Sequence, residues 1–222
     1  MIATRHSGTG VKKGDKLAGM RVIPLVVREE VLERTEKIFD GRPILKVTPY
    51  RLKTAGIITT GSEVFRGIIE DTFTPVIIDK LKKFGIEVSK HIVVDDGTEN
   101  ILRAINEIKS SGTDMILCTG GMSVDPDDNT PGAIKQSGAN IVTYGAPVLP
   151  GAMFLLGYFA DDVPIMGLPG CVMYAGATIF DIVLPKIAAR LKVDKRDIVK
   201  LGNGGLCLGC EECRYPVCPF GK

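Results

Sequence analysis

Three features are missing from this sequence: a cluster of basic residues, a long uninterrupted apolar run, and cysteines distributed along the whole chain. The formal net charge is only +2 and basic residues are interspersed with acidic ones, so nucleic acid is not the expected partner. Residues 1–7 lack the apolar core of a signal peptide. The longest apolar segment, residues 146–160, contains two prolines and two glycines and is too short to span a bilayer. We therefore expect a cytoplasmic protein with no membrane partner.

The six cysteines are concentrated near the C-terminus. Cys207, Cys210, Cys213 and Cys218 form the pattern C-x2-C-x2-C-x4-C-P, whereas a disulfide scaffold would distribute its cysteines through the fold. Four thiolates in one short segment can surround a metal centre. The spacing is close to that of a ferredoxin, with one extra residue before the last cysteine. An iron–sulfur cluster, a structural zinc and a metal-free redox tail are the open alternatives.

The other cysteines and the histidines give weaker signals. Cys118 lies in an apolar run and is predicted to be a core residue. Cys171 lies in a loop before a predicted helix, where the positive end of that helix would lower its thiol pKa and favour contact with a ligand. His6 and His91 lack the spacing of metal ligands and are treated as ordinary residues.

The chain is organised around a glycine-rich acidic loop at residues 119–131. The apolar residues 114–118 precede it and predict a buried strand. Thr130-Pro131 predicts that a helix follows, with Thr130 as the N-cap. In an open α/β sheet, ligands bind beyond the carboxyl ends of the strands. This loop is therefore the first candidate for a binding site.

The loop combines glycines with carboxylates. Gly120 and Gly121 have no side chains, so their backbone N–H groups could approach a phosphate closely. Asp125, Asp127 and Asp128 would repel that phosphate unless a cation lay between them. The loop therefore predicts a phosphorylated ligand bound together with Mg²⁺, and a solvated acidic turn is the alternative interpretation.

From residue 54 onwards, predicted strands alternate with predicted helices, which indicates parallel βαβ units. Three strand ends carry acidic residues or glycines, at residues 59–63, 95–96 and 119–128. Because the carboxyl ends of neighbouring parallel strands lie at one edge of a sheet, we expect these three loops to meet. Such convergence supports a binding site more strongly than any single loop does.

A second glycine turn follows the strand predicted at residues 163–166. The turn is Gly167-Leu168-Pro169-Gly170, and a long helix is predicted to run from Cys171 to Leu191. The positive end of that helix would favour an anion, so the turn is a second candidate anion site.

The sequence predicts three parts: a β-rich arm or remnant of an upstream module at residues 1–52, a main domain at residues 53–195, and a cysteine-rich metal-binding tail at residues 196–222. Within the first part, strands are predicted at residues 20–27 and 44–47, on either side of a short surface helix from Glu29 to Phe39.

Four motifs resemble the molybdopterin-binding domain shared by the molybdopterin adenylyltransferases and molybdopterin molybdenumtransferases of molybdenum cofactor biosynthesis. They are Thr59-Thr60-Gly61-Ser62-Glu63, Asp95-Asp96, Thr119-Gly120-Gly121 with the downstream Asp128, and Gly167-Leu168-Pro169-Gly170. The resemblance covers roughly residues 53–191. It implies a three-layer α/β/α fold with a mostly parallel sheet, which binds the pterin dithiolene and its terminal phosphate.

The resemblance also implies roles for individual residues. Asp95 and Asp128 match the two functional carboxylates of the family, and molybdopterin, Mg²⁺ and molybdate are the implied ligands. The residues implied to hold the pterin and the phosphate are Thr60, Gly61, Ser62, Glu63, Thr119, Gly120, Gly121, Met122, Ser123, Gly167, Leu168, Pro169 and Gly170. The implied partners are the pterin, a molybdoenzyme or other cofactor-assembly protein, and further copies of the chain in a dimer or trimer.

Some of these motifs resemble the metal-inserting branch of the family, and others resemble the adenylylating branch. Residues 120–124 and 167–170 look like the metal-inserting branch, although Cys171-Val172 stand where inserting enzymes usually carry Asn-Pro. Residues 128–131 look more like the adenylylating branch. Residues 61–67, with Asp127 to Thr130, are also similar to the nucleotide pyrophosphatase domain of competence-damage-type proteins. The leading expectation is a molybdenumtransferase-like enzyme; the alternatives are an adenylyltransferase, a non-catalytic molybdopterin carrier or sensor, and a divalent-metal nucleotide pyrophosphatase.

Overall fold

The computed structural model describes residues 1–123, 125 and 128–222. Val124, Pro126 and Asp127 lie outside the described residues, and with them the predicted loop carboxylate of Asp127. The chain divides into two compact units, Met1–Pro49 and Tyr50–Lys222. The cysteine-rich tail belongs to the second unit.

The first unit contains two short strands and one helix. β1 (Ile2–Thr4) pairs antiparallel with β2 (Ala18–Met20), and α1 spans Glu29–Phe39 as the sequence predicts. The strands predicted at residues 20–27 and 44–47 are wrong. Pro24 cannot donate a ladder hydrogen bond. A strand also needs a hydrogen-bonded neighbour, and in residues 1–49, all of them described, β1 and β2 are the only strands and pair with each other.

The second unit alternates strands with helices, as the sequence predicts. In chain order its elements are β3 (Thr54–Thr60), α2 (Ser62–Phe65), α3 (Phe73–Lys82), β4 (Glu87–Val94), α4 (Thr98–Ser110), β5 (Met115–Thr119), α5 (Thr130–Gln136), β6 (Asn140–Tyr144), β7 (Leu155–Tyr158), β8 (Pro164–Leu168), a 3-10 helix (Gly170–Met173), α6 (Ile179–Ala188) and α7 (Lys195–Lys200).

The strands form one mixed sheet in the order β4-β3-β5-β8-β7-β6. The first four run parallel to one another, whereas β7 pairs antiparallel with both β8 and β6. This arrangement confirms the predicted mostly parallel α/β sheet. In the parallel part, the carboxyl ends of β3, β4, β5 and β8 lie at the same edge.

Helices cover both faces of the sheet, which makes three layers. Successive residues of a strand point to opposite faces. Ile57 and Leu117 therefore belong to a core cluster that includes residues of α3 and α6, whereas Ile58 and Cys118 belong to a second cluster with residues of α4 and α5. The side chains of all four strand residues are fully buried. Among the described residues, none of the helices has the length and apolar character needed to cross a bilayer.

The long helix predicted from Cys171 to Leu191 is wrong, because two shorter helices stand there. The 3-10 helix ends at Met173 and α6 begins only at Ile179. The Thr178 hydroxyl oxygen accepts a hydrogen bond from the Phe180 N–H (3.2 Å), and the Thr178 N–H donates to Asp181 Oδ2 (2.8 Å). This capping box specifies a new helix start. The glycine turn therefore precedes a 3-10 helix of four residues rather than a long α-helix.

The start of α5 also differs from the prediction. Asn129 occupies the N-cap position and Thr130 is the first helical residue, so the predicted cap is wrong by one residue. The Thr130 hydroxyl instead donates to the Gly120 carbonyl oxygen (2.9 Å). A tertiary contact therefore takes the hydroxyl that local sequence rules assign to capping.

Candidate functional site

The loops after β3 and β4 are joined at the carboxyl edge of the sheet by Ser62. The Ser62 N–H donates to Asp96 Oδ2 (2.8 Å). The Ser62 hydroxyl is in position to donate to Asp96 Oδ2 (2.9 Å) and to the Asp95 carboxylate. Ser62 therefore orients both carboxylates of the Asp95-Asp96 pair.

The loop after β5 is joined to the other two by threonine and asparagine side chains. Thr60 Oγ1 lies 3.3 Å from Thr130 Oγ1, and Thr130 in turn bonds to the loop at Gly120. Asn129 Nδ2 donates to the Asp96 carbonyl oxygen (3.0 Å). The three loops thus form one hydrogen-bonded rim.

Close packing explains the glycine pair of the third loop. Both residues have positive φ, 80° at Gly120 and 53° at Gly121. A Cβ atom at Gly120 would lie 2.1 Å from the Thr60 carbonyl oxygen, and one at Gly121 would lie 2.7 Å from Thr130 Oγ1. The pair is therefore required for β3 and β5 to end side by side, a reason that the phosphate interpretation of the sequence does not include.

The rim surrounds a cavity of about 540 Å³, which we call the rim cavity. It is lined by the carboxylate residues Asp96, Asp125 and Asp128, and also by Thr60, Gly121 and Asn129. No lysine or arginine is among its described lining residues. An anionic phosphate in this cavity would be repelled unless a cation offset the carboxylates. Carboxylate and amide oxygens are ligands that suit Mg²⁺, but the described carboxylates are not grouped closely enough to hold a metal ion as they stand.

Local hydrogen bonds hold the acidic part of the third loop. The Ser123 N–H donates to the Asp128 carboxylate, and the Asp128 N–H donates to the Asp125 carbonyl oxygen (3.1 Å). Burial, with a further contribution from the negative charge of Asp128, raises the pKa of the Tyr144 phenol.

The pKa of Asp95 is lowered. The main cause is the hydrogen bond from the Ser62 hydroxyl, followed by the bond from the Asp96 N–H (2.9 Å) and a smaller effect of the Arg66 charge. Asp95 is therefore ionised at neutral pH. Its carboxylate faces Ser62, and it is Asp96 that contributes to the described lining of the rim cavity.

The predicted ligand-binding residues fall into four groups according to where the structure places them. Thr60 and Gly61 in the first loop and Gly121 in the third line the rim cavity. Glu63 is exposed in α2 and Ser123 is exposed in the third loop. Ser62 and Gly120 belong to the rim itself, and the remaining six residues lie at the end of β5 and in the glycine turn.

Thr119 and Met122 belong to the interior of the sheet end. Thr119 is fully buried and its hydroxyl points to the Ile58 carbonyl oxygen (3.4 Å). Met122 is 3% exposed, and its Sδ would lie 2.6 Å from a Cβ atom at Gly167. Gly167 therefore accommodates the Met122 side chain.

The glycine turn lies at the end of β8, beside β5. Leu168 is the register partner of Thr119 and is fully buried. Pro169 precedes the 3-10 helix, and Gly170 begins it. None of the four turn residues lines the described part of the rim cavity.

Asp96 and Asn129 line the rim cavity, and the sequence interpretation did not single them out as site residues. Both carboxylates of Asp95-Asp96 reach the Ser62 hydroxyl, so the pair alone does not reveal which one lines a cavity. Asn129 follows Asp128 directly and was visible only as part of a motif.

The two isolated cysteines differ in burial: Cys118 is a core residue, whereas Cys171 is half-buried. Cys118 is fully buried, and burial raises its pKa to about 12. Burial also raises the pKa of Cys171, so the predicted lowering of that pKa is wrong. The prediction required a long α-helix after Cys171, which the 3-10 helix replaces. In the described part of the chain, no three His, Cys, Asp or Glu side chains are grouped so that they could hold a metal ion.

A family model described as "Probable molybdopterin binding domain" matches residues 56–189. The match covers more than half of the chain and runs from β3 through α6. It includes the three loops of the rim and the glycine turn.

Curated relatives match a shorter part of the chain. A CinA-like protein of Pseudothermotoga lettingae is 42% identical over 86 residues, which are 39% of this chain and 21% of the relative. A putative competence-damage inducible protein of Bacillus thuringiensis is 35% identical over 95 residues, which are 43% of this chain and 23% of the relative. The chain thus spans about a fifth of the length of these relatives.

Solved structures share the fold. The protein CinA with unknown function from Thermoplasma acidophilum has a TM-score of 0.52 and 18% identity, and the match covers 61% of this chain and 98% of that one. The molybdopterin biosynthesis Mog protein of Mycobacterium ulcerans has a TM-score of 0.52 and 19% identity, with 63% and 99% covered. At these identities the likeness concerns the fold alone.

Proposed function

This chain belongs to the molybdopterin-binding domain family, and from that membership we propose that the rim cavity binds molybdopterin through its terminal phosphate, together with Mg²⁺. The observation that supports the proposal most directly is the hydrogen-bonded rim of three loops around three lining carboxylates. A cavity with that lining repels a bare phosphate and attracts a divalent cation.

In this proposal Asp96, Asp125 and Asp128 hold the cation, which supplies the positive charge that the phosphate needs. Ser62 donates to Asp96 and the Ser123 N–H donates to Asp128. These bonds orient two of the carboxylates before a ligand arrives. Because no three carboxylates of the described residues are grouped closely enough to hold a metal as they stand, binding of the cation has to draw the three together.

Asp95 and Asp128 are the proposed catalytic carboxylates. The lowered pKa of Asp95 makes it a poor proton donor at neutral pH. We therefore assign it an electrostatic role beside the rim, where the Ser62 hydroxyl reaches both Asp95 and the cavity-lining Asp96.

The proposed reaction is molybdenumtransferase-like, with molybdate as a substrate that is inserted into molybdopterin or its adenylylated form. Two anions, the phosphate and molybdate, then share one acidic region, which increases the need for a cation. Adenylylation of molybdopterin by ATP and a non-catalytic carrier role use the same cavity and are the alternatives. A dimeric or trimeric assembly and delivery to a molybdoenzyme stay predictions.

A second candidate function is a divalent-metal nucleotide pyrophosphatase. It is favoured by the 42% identity to a CinA-like protein over 86 residues. A cation held by carboxylates would serve a phosphoanhydride as well as a pterin phosphate.

The test measures binding of molybdopterin by the full chain with and without Mg²⁺. Asp128→Asn keeps the size of the side chain but removes one lining charge. We expect the Mg²⁺-dependent affinity to fall about tenfold or more, which corresponds to about 1.4 kcal/mol or more. Asp79→Asn is the matched control, because Asp79 is 75% exposed and pairs with Lys82 on the surface of α3. Equal Mg²⁺-dependent affinity in wild type and Asp128→Asn would contradict the proposed site.

Separate incubations then identify the reaction. Metallated product with molybdate supports insertion, and adenylylated product with ATP supports the adenylyltransferase. Tight binding without either product supports a carrier. Cleavage of nucleotide pyrophosphates, with no affinity for molybdopterin, would replace the first proposal by the second.

A further inference from the structure

The four cysteines of the tail line a single cavity of about 360 Å³, which we call the tail cavity. All four carry free thiols. Cys207 and Cys218 are half-buried, whereas Cys210 and Cys213 are exposed on the turn between them. A clustered sequence motif does not by itself make its side chains face one space, so this arrangement is a property of the fold.

Backbone hydrogen bonds fix the start of the tail to the main domain. The Leu149 N–H donates to the Gly205 carbonyl oxygen (2.8 Å), and the Cys207 N–H donates to the Leu149 carbonyl oxygen (2.8 Å). A Cβ atom at Gly205 would lie 2.5 Å from the Pro147 carbonyl oxygen, so the two segments are in close contact. Cys207 is thereby held at the mouth of the tail cavity.

The end of the tail is anchored in the hydrophobic core. Phe220 is 3% exposed and belongs to the same core cluster as α6. The Tyr215 hydroxyl donates to the Asp181 carbonyl oxygen (3.0 Å). Cys218 lies between these two anchors, so both outer cysteines have fixed positions.

The opposite wall of the tail cavity is the segment between the 3-10 helix and α6. It consists of Tyr174, Ala175, Gly176 and Ala177. A Cβ atom at Gly176 would lie 2.6 Å from Cys213 Cβ and 2.8 Å from its Sγ. The missing side chain therefore lets Cys213 lie directly against the wall. Arg214 also lines the cavity and places a positive charge beside the thiols.

We propose that the tail cavity is a metal site in which the thiolates of Cys207, Cys210, Cys213 and Cys218 ligate a zinc ion or an iron–sulfur cluster. The two occupants share one ligand chemistry, since both are held by cysteine thiolates. The cavity has room for either, and Arg214 offsets part of the thiolate charge. The proposal does not depend on the pterin site.

Ligation changes no oxidation state, whether the occupant is zinc or a preassembled cluster. Each thiol releases its proton to solvent and its sulfur donates an electron pair to the metal. Because no three side chains of the described residues meet closely enough to hold a metal as they stand, the exposed turn at residues 208–214 has to move inward. Cys207 and Cys218 supply the fixed half of the site.

The test uses the full chain purified without oxygen, with zinc, iron and acid-labile sulfide measured per chain. We expect about one zinc, or iron with a matching amount of sulfide. The double variant Cys210→Ser/Cys213→Ser should bind added Zn²⁺ at least about tenfold more weakly than wild type. Both cysteines are exposed, so this variant keeps the core intact. Leu208→Ser is the matched control, because it changes the same turn and the same cavity lining without removing a thiol.

Two results would overturn the proposal. One is a folded wild-type chain that contains neither metal and does not bind added Zn²⁺. The other is equal metal content in wild type and in the double cysteine variant. Asp128→Asn should retain the metal, so failure at the tail cavity and failure at the rim cavity are distinguishable.

Discussion

Replacement of Gly120 by alanine tests how closely β3 and β5 must approach to form the rim. The backbone at Gly120 has φ of +80°, which costs an alanine about 1–2 kcal/mol. The added Cβ would also lie 2.1 Å from the Thr60 carbonyl oxygen and 2.7 Å from its Oγ1. Overpacking of this kind costs typically about 1–3 kcal/mol, because two hydrogen-bonded strands must separate. We expect Gly120→Ala to lower the free energy of unfolding by about 2–5 kcal/mol.

Gly112 supplies a control for the backbone contribution. Its φ is +76°, but a Cβ atom there would have nothing within 4 Å. Gly112→Ala should therefore lower the free energy of unfolding only through the unfavourable positive φ, by about 1–2 kcal/mol. The difference between the two variants measures the steric contact with Thr60 alone.

Chemical denaturation of both variants, followed by circular dichroism, gives the two free energies. A Gly120→Ala variant no less stable than Gly112→Ala would refute the steric argument. Gly120→Ala should also weaken molybdopterin binding, because it displaces Thr60 at the rim cavity, whereas Gly112→Ala should leave that binding unchanged.

Three further predictions concern stability. Asp71→Ala should lower the free energy of unfolding by about 1–2 kcal/mol at neutral pH, because Asp71 Oδ1 accepts hydrogen bonds from the first N–H groups of α3. Chemical denaturation at several pH values checks this prediction. Lys80→Met should lower the free energy of unfolding by about 3 kcal/mol. It removes Lys80 Nζ, which lies 2.6 Å from Asp181 Oδ1, and leaves that largely buried carboxylate without its ion-pair partner. Gly132→Ala should raise the free energy of unfolding by about 0.5–1 kcal/mol, since Gly132 lies within α5 and a Cβ there meets nothing within 4 Å.

The pH dependence of the Asp71 effect has a definite sign. Burial acts to raise the pKa of Asp71, but hydrogen bonds from Thr74, Thr59 and the Phe73 N–H outweigh it and lower the pKa. The stabilisation is therefore present above the ordinary carboxyl pKa and is lost as the pH falls through the lowered value. A difference between wild type and Asp71→Ala that grows in acid would contradict this assignment.

Exposed residues provide the control for the Lys80 prediction. Lys82 Nζ lies 3.2 Å from Asp79 Oδ1, and the two side chains are 68% and 75% exposed. Lys82→Met should therefore lower the free energy of unfolding by less than about 1 kcal/mol. Equal costs at Lys80 and Lys82 would show that burial does not set the strength of these pairs.

The parallel part of the sheet could be predicted because apolar strands alternate with helices along the chain. The apolar stripe of α4, with Ile101, Ile105 and Ile108, also faces the core as its spacing predicts. The predictions failed where a tertiary partner decides the outcome. Residues 44–47 are mostly apolar, as in a strand, but they pair with no other strand of the described residues. Thr130 uses its hydroxyl to bond to Gly120 instead of capping α5.

The limits of the site prediction have the same origin. That the loops after β3, β4 and β5 meet follows from parallel topology, which the sequence pattern reveals. Whether Asp95 or Asp96 faces the cavity depends on Ser62, which bonds to both from a loop more than thirty residues away. That contact exists only after β3 and β4 have paired. Local pattern therefore locates the rim, but the orientation of each carboxylate is set by contacts between loops that only the folded sheet creates.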